Sequence, residues 1–213
     1  MRQNPLFEID DPAVVADLIR ANPWATLVSS TCGGLVASHY PALLDEEAEG
    51  LTVLTHVGRP DDELHELGTT EMLLIFQGNH GYVSPGWYLP EERLVPTWNF
   101  TVAHCYGVPE LLSEEENLRV LGRLVERFER ELPAPALLDP EYGAPIARGT
   151  VGLRVPIDRF VCKRKLGQNK GPETRRRVIA ALRQPGPYQH PQLAAEMERQ
   201  LEADGEEAGA DPS

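Results

Sequence analysis

The sequence predicts an α+β fold built around a small antiparallel β-barrel, with peripheral helices and a helical C-terminal region. Three observations carry that prediction. Strand-like runs occupy the chain up to residue 111, punctuated by turn signals roughly every 8–12 residues, as in meander or Greek-key β-structures. The clearest helical periodicity comes late, from Ser113 onward. No GxGxxG follows a strand and no GxxxxGK[ST] occurs, so neither a dinucleotide fold nor a P-loop is supported.

The elements follow in order. Asp10 or Asp11 caps a first helix with Pro12 in its first turn; Val14, Val15, Leu18 and Ile19 share one face before Asn22-Pro23 ends it. WATLVSS and LVASHYPALL flank a Cys-Gly-Gly turn and read as a hairpin, with Pro41 marking an edge or a bulge. LTVLTHV is a third strand. After Gly58-Arg59-Pro60, DDELHEL suits a short helix whose first carboxylates meet the positive end of the dipole. EMLLIFQGN reads as a buried strand, HGYVSP as a second, and PTWNFTVAHCYGVPELL as a long one able to bend at Gly107 or Pro109. Ser113 and Glu116 make a capping box ahead of Leu118, Leu121, Val125, Phe128 and Leu132 at helical spacing. PAPALLDPEYGAP reads as a connector, TVGLRVPIDRFVCKRKL as the last strand, and two helices near 172–183 and 191–203 flank Pro-Gly-Pro. The expected organisation is a barrel domain over 1–170, a helical appendage over 171–203 and a disordered acidic tail over 204–213.

A hydrophobic content of 41% over 213 residues fits a soluble globular chain. No run is apolar for long enough to span a membrane, and MRQNPLFEIDDP lacks the basic and apolar regions of a secretory signal. A cytoplasmic protein with no membrane partner is expected. Cys32, Cys105 and Cys162 match neither a CxxC pair nor a zinc spacing and read as free thiols, buried or half-buried. The net charge of −13 opposes general affinity for nucleic acid or anionic membrane. It is unevenly spread: Arg159 to Arg177 holds eight Lys or Arg against one Glu, whereas from Glu196 onward seven acids face Arg199 alone. The two blocks either attract one another or leave the acidic end as a solvated tail.

Four strand-like runs carry embedded polar groups: Ser38-His39-Tyr40, Thr55 to Arg59, Gln77 to Tyr82, and Trp98 to His104. Burying such a group unpaired costs about 1–3 kcal/mol, so each is either paired internally or faces a ligand. Taken singly, His39, His56, His80 and His104 read as hydrogen-bonded packing residues; without an HExxH, HxH or i, i+4 pair no metal is assigned. Ser38 and Ser84 sit in no nucleophile elbow, and no base is marked beside Cys32. Trp87, Tyr88 and Trp98 are either core and interface packing or faces for a flat heterocycle, with Gln77 and Asn99 at its edge and Arg59 for a phosphate.

The segments HYPALL, FQGNHGYVSPGWY, VPTWNFTVAHCYG and KLGQNK, in this order between residues 39 and 170, resemble those of PaiB-like proteins, described as FMN-binding negative transcriptional regulators. The resemblance implies an antiparallel split β-barrel of the FMN-binding type, related to pyridoxamine phosphate oxidase. It also implies a homodimer whose flavin sites draw on both chains. By that analogy Thr55, His56 and Val57 line the isoalloxazine and Arg59 holds the phosphate. Gln77, Trp98 and Asn99 complete the pocket, and Lys165, Gln168 and Asn169 close it. One stretch departs: where the family reads His-x-x-Arg-x-Asn-Pro-x-Trp, this chain has HVGRPDDEL, placing Asp61, Asp62 and Leu64 where Asn, Pro and Trp are usual. Two carboxylates beside a phosphate site oppose the ligand's charge.

The function implied is an FMN-binding negative transcriptional regulator or flavin-linked sensor. The alternatives are a flavin-dependent oxidoreductase, or a haem protein on the same fold with His39 or His104 as axial ligand. No helix-turn-helix signature is present, so contact with DNA, if direct, falls to the basic segment 159–177.

Overall fold

The computed structural model describes residues 1, 4–92 and 95–209. In chain order its strands are β1 (Glu8–Ile9), β2 (Trp24–Thr31), β3 (Gly34–Leu44), β4 (Thr52–Gly58), β5 (Met72–Val83), β6 (Thr97–Gly107), β7 (Glu110–Leu111), β8 (Thr150–Pro156) and β9 (Arg159–Lys165). Its α-helices are α1 (Pro12–Ala21), α2 (Asp61–Leu64), α3 (Glu114–Glu129), α4 (Pro140–Ala147), α5 (Pro172–Arg183) and α6 (Pro191–Gly209). Among the described residues the strands hydrogen-bond in the order β1-β9-β6-β5-β2-β3-β4-β8-β7.

The chain divides into two compact units. The larger comprises Asp11–Gln77 and Ala103–Val161; the smaller comprises Met1–Asp10, Gly78–Val102 and the chain from Cys162 onward. The division differs from the expected boundary at residue 170, because β5, β6 and β9 each reach into the smaller unit.

In the larger unit β2 and β3 form the expected hairpin, with Trp24 opposite Pro41 and Thr31 opposite Gly34. β4 then pairs with β3 and, over its whole length, with β8. α1 starts where Asp11 accepts from the Ala13 N–H at 2.8 Å, and it buries Val15, Leu18 and Ile19. The capping box opens α3: Ser113 Oγ accepts from the Glu116 N–H, and the Glu116 carboxylate accepts from the Ser113 N–H. α3 in turn lays Val120 and Leu124 on Leu54 of β4. Gly107 ends β6 for a steric reason, since a Cβ there would lie 1.9 Å from the Pro156 carbonyl oxygen.

In the smaller unit α5 and α6 pack into a shared core. Val178, Ile179, Leu182, Leu193, Ala194 and Met197 close a core with Val83, Tyr88 and Leu166. Residues 204–209, expected to begin a disordered tail, continue α6, and residues 210–213 lie outside the described residues.

Three readings of the sequence change. The two strands expected over 71–84 are one, β5, whose buried positions run 72, 74, 76, 78 and then 81, 83. That one-residue slip in the alternation is what made the pattern read as a break. The single strand expected over 150–166 is two, separated at Ile157-Asp158, and they are not neighbours in the sheet. The Pro-rich connector contains α4, opened by the Asp139 cap and Pro140 at its first position, a favourable start that Pro145 inside the helix obscured.

Candidate functional site

In the larger unit the polar groups gather where β4 runs into α2. Burial alternates along the end of β4, so Thr55 and Val57 are fully buried while His56 and Gly58 are half-exposed. Thr55 donates its hydroxyl to the Pro41 carbonyl at 2.8 Å, a pairing internal to the sheet. His56 differs: its Nδ1 is buried without a protein partner, and its ring meets the edge of Tyr40 at 5.6 Å. Burial holds the His56 imidazole below its ordinary pKa, so the ring is neutral near pH 7.

Around it runs a directed hydrogen-bond chain. Asp61 Oδ2 accepts from Ser38 Oγ at 2.7 Å and from the Tyr40 hydroxyl at 2.9 Å. Tyr40 in turn accepts from the Gly58 N–H at 2.9 Å. Because Ser38 gives its proton to Asp61, it receives one from His65 Nε2 at 3.0 Å. His65 Nδ1 therefore accepts from Ser29 Oγ at 2.9 Å. These partners assign the neutral Nε2–H tautomer to a histidine that is 1% exposed. The Ser38 bond and, secondarily, the Tyr40 bond keep Asp61 ionised, below the usual carboxylate range, against an opposing desolvation. Ser38 Oγ thus donates to a carboxylate and accepts from the imidazole, both partners lying within the network. Little in the local pattern signals this network: His65 sits in DDELHEL, a segment that looks like an acidic surface helix.

Arg59, at the strand end, is half-exposed and donates from Nη1 to Asp62 Oδ2 at 2.6 Å and from Nε to the Arg148 carbonyl at 3.3 Å. The second carboxylate of HVGRPDDEL thus neutralises the residue proposed for the phosphate. The first, Asp61, is turned to Ser38 and Tyr40. Asp62 Oδ1 is buried with no protein donor.

The remaining sequence-selected residues lie elsewhere. Gln77 is exposed at the end of the larger unit's share of β5. Trp98, Asn99, Lys165, Gln168 and Asn169 belong to the smaller unit. Trp98 and Asn99, read from sequence as facing one cleft, point to opposite sides of β6. Trp98 is exposed beside the rings of His80 and Tyr82, whereas Asn99 is buried and donates to Met197 Sδ at 3.3 Å. Gln168 is folded onto its own loop, accepting from the Leu166 N–H and donating to the Arg164 carbonyl, both at 2.7 Å. Lys165 donates to Thr97 Oγ1 and to the Trp98 carbonyl. Burial foremost, with Lys163 and Lys170 nearby, lowers its pKa. Asn99, Lys165 and Asn169 line a cavity of about 190 Å³ in this unit.

The histidines named as axial candidates differ in setting. His39 is exposed and stacked on Trp24, while His104 is half-buried on β6. Among the described residues no three His, Cys, Asp or Glu side chains gather as a metal site, and no helix is long and apolar enough to cross a membrane. Cys105 and Cys162 are buried, but Cys32 is exposed, and its Sγ lies 2.6 Å from Glu66 Oε1.

The chain is 27% identical over 200 residues to the protease synthase and sporulation protein PAI 2 of Bacillus subtilis, covering 92% of this chain and 95% of that one. Among solved structures it resembles the FAD and heme binding protein from Mycobacterium smegmatis, at 18% identity and a TM-score of 0.58 over 85% of this chain and 81% of that one. It also resembles the flavocytochrome Anf3 from Azotobacter vinelandii, at 16% identity and a TM-score of 0.57 over 92% and 78%. These likenesses establish the antiparallel split β-barrel with peripheral helices that the sequence implied. Residues 1–159 match the family model described as "Putative FMN-binding domain", and the chain belongs to that family of PaiB-like proteins.

Proposed function

We propose that the protein binds flavin mononucleotide at the end of β4 and serves as a flavin-linked sensor in negative transcriptional regulation. The observation that carries this reading is the FMN-binding family match over the segment containing His56 and Arg59. The residues present fit the cofactor. Among the described residues His56 offers an unpaired buried nitrogen for the edge of a polar ring, and Arg59 supplies for a phosphate the guanidinium edge that Asp62 does not engage. Thr55 and Val57, being buried, contribute strand backbone rather than side chains. The directed chain from Ser29 to Asp61 holds Tyr40 and the Gly58 N–H in place beneath the strand end, so the site is rigid before a ligand arrives. A bound flavin supplies one- or two-electron redox chemistry, which serves a sensor and an oxidoreductase alike.

Regulation through direct wrapping of DNA is the less favoured form of this proposal. Arg175 is buried, Arg164 lies 4.0 Å from Glu196, and Arg159 is paired with Glu71 at 2.6 Å, so three of the eight basic residues of the segment are engaged within the chain. We read the functional species as a cytoplasmic homodimer, as in the resemblance, with exposed Trp24 and Leu35 of the β2–β3 hairpin available for contact. Flavin binding is tested by titrating purified, flavin-stripped protein with FMN and following the absorption spectrum and melting temperature. A perturbed flavin spectrum and a raised melting temperature are expected; no change in either would reject the reading, and a Soret band gained with haem instead would favour haem. Light scattering during size exclusion tests the dimer, which a monomer mass would refute.

A further inference from the structure

The cavity in the smaller unit is built around a buried cation that its own protein leaves half-used. Arg175, on the first turn of α5, has a side chain 4% exposed. Its Nη1 is paired with Asp204 of α6, whereas Nε and Nη2 are buried with no acceptor among the described residues. Those two groups form one edge of the guanidinium. They point the same way, with the spacing of two carboxylate oxygens, which is the geometry of bidentate recognition. Leaving such donors unpaired in the interior is costly, so a buried fork of this kind calls for an acceptor.

The surroundings say which acceptor. Lys165 and Lys170 also line the cavity, giving three cations against two carboxylates, Asp204 on Arg175 and Glu92 on the lining Thr174. Burial, more than the neighbouring Lys163 and Lys170, lowers the Lys165 pKa, so its ammonium is only partly hydrated at the cavity wall. Part of the wall is apolar, formed by Val83, Val178, Met197 and the ring of Tyr88. A volume of about 190 Å³ lies below the ~300–1,000 Å³ of sites for drug-sized ligands, and whole FMN exceeds it.

We propose that this cavity binds a small organic carboxylate, its carboxyl group held side-on by the Nε and Nη2 of Arg175 and its short apolar body lying against Val83, Val178 and Met197. The cavity belongs to the smaller unit and its assignment does not rest on the flavin reading. It gives the protein an effector pocket for a branched or aromatic acid of a few carbon atoms. Lys170, whose ammonium lies 5.7 Å from the Tyr88 ring, adds charge at the cavity wall.

Calorimetric and thermal-shift titration of the full chain with benzoate, isovalerate and inorganic phosphate tests the assignment. Either organic acid is expected to bind and raise the melting temperature, and phosphate to bind more weakly. Arg175→Lys keeps the charge and removes the fork, and is expected to weaken binding about 10-fold to 100-fold. Lys170→Gln, at a partly exposed position that spares the core, should weaken it several-fold while leaving FMN affinity unchanged. The proposal is overturned if neither acid binds at millimolar concentration, the donors then being satisfied by water alone. It is equally overturned if phosphate binds better than both acids, if Lys170→Gln binds them as the native chain does, or if FMN displaces them.

Discussion

Replacing Asp62 by Asn should tighten FMN binding and leave riboflavin binding alone. Asp62 accepts from Arg59 at 2.6 Å and its side chain is 15% exposed, so its charge is only partly screened by water. A phosphate seated on the other edge of Arg59 would lie roughly 6 Å from the Asp62 carboxylate. Coulomb's law at that separation gives about 0.7 kcal/mol per pair of unit charges in bulk water and about 2.8 kcal/mol at an effective dielectric of ~20. The half-exposed arginine places the site between these limits, and salt trims the upper one. Removing the charge while keeping the shape should therefore improve FMN affinity by about 5-fold to 60-fold. Riboflavin lacks the phosphate and serves as the internal control. The assay is quenching of flavin fluorescence at equilibrium for both ligands, with native protein, Asp62→Asn and Arg59→Gln. An unchanged ratio of FMN to riboflavin affinity in Asp62→Asn would refute the placement of the phosphate at Arg59. A loss of FMN affinity there would show that Asp62 helps the site rather than competes for it.

Burial lowers the pKa of His65, with Asp61 opposing, and burial also lowers those of His56 and His104. The unfolded chain then takes up protons first, so this stability is complete above about pH 6.5 and is lost as pH falls toward the folded values, by at most about 1.4 kcal/mol per pH unit per histidine. Urea unfolding at stepped pH should show that slope, and His65→Gln should flatten it; stability that holds level through the range would count against the neutral buried imidazole. Gly107→Ala drives a Cβ into the Pro156 carbonyl oxygen at 1.9 Å and should cost about 3 kcal/mol or more, read as a fall in melting temperature. Ser113→Ala removes the cap of α3 and should cost about 1 kcal/mol by the same measurement, with a loss near zero indicating that the helix is held by packing alone. In gel shifts at two salt concentrations, any affinity for duplex DNA should weaken steeply with salt and vanish on neutralising exposed Arg176 and Arg177; survival in that variant would place the contact elsewhere.

Where hydrogen bonding and packing are local, the sequence was legible. The Asp11 cap, the Ser113–Glu116 box and the β2–β3 hairpin each depend on residues a few positions apart, and each lies where its signal pointed. The split barrel became legible only through the resemblance, since strand order depends on pairings between distant segments that no local pattern encodes. The site was half legible. His56 and Arg59 stood out as polar residues in a strand, but the alternation that buries Thr55 and Val57 gives no hint of which face meets a ligand. His65 and Arg175 were missed for one shared reason. Each lies in a stretch whose charge predicts a solvated surface, and each is drawn inside by partners far along the chain, Ser29 and Ser38 for the one and Asp204 for the other.

Both proposed anion sites share a construction that follows from the chain's net charge of −13. A field of that sign repels phosphates and carboxylates at a distance, so an approaching anion is not steered inward. Recognition must come at short range, from cations whose water has already been removed. Arg175 has that character in full and the half-exposed Arg59 only in part, and each is bound on one side by a carboxylate of its own chain, which fixes the guanidinium and limits the cost of holding it. The carboxylate also lowers the net charge offered to the ligand, so geometry rather than charge does the selecting. At Arg59 the balance is struck against the ligand, which makes Asp62 a brake on flavin uptake. At Arg175 it is struck in the ligand's favour, because Lys165 and Lys170 restore the charge that Asp204 removes. An acidic protein of this build should therefore bind its anions faster as salt rises, since salt screens the repelling field more effectively than the buried contacts.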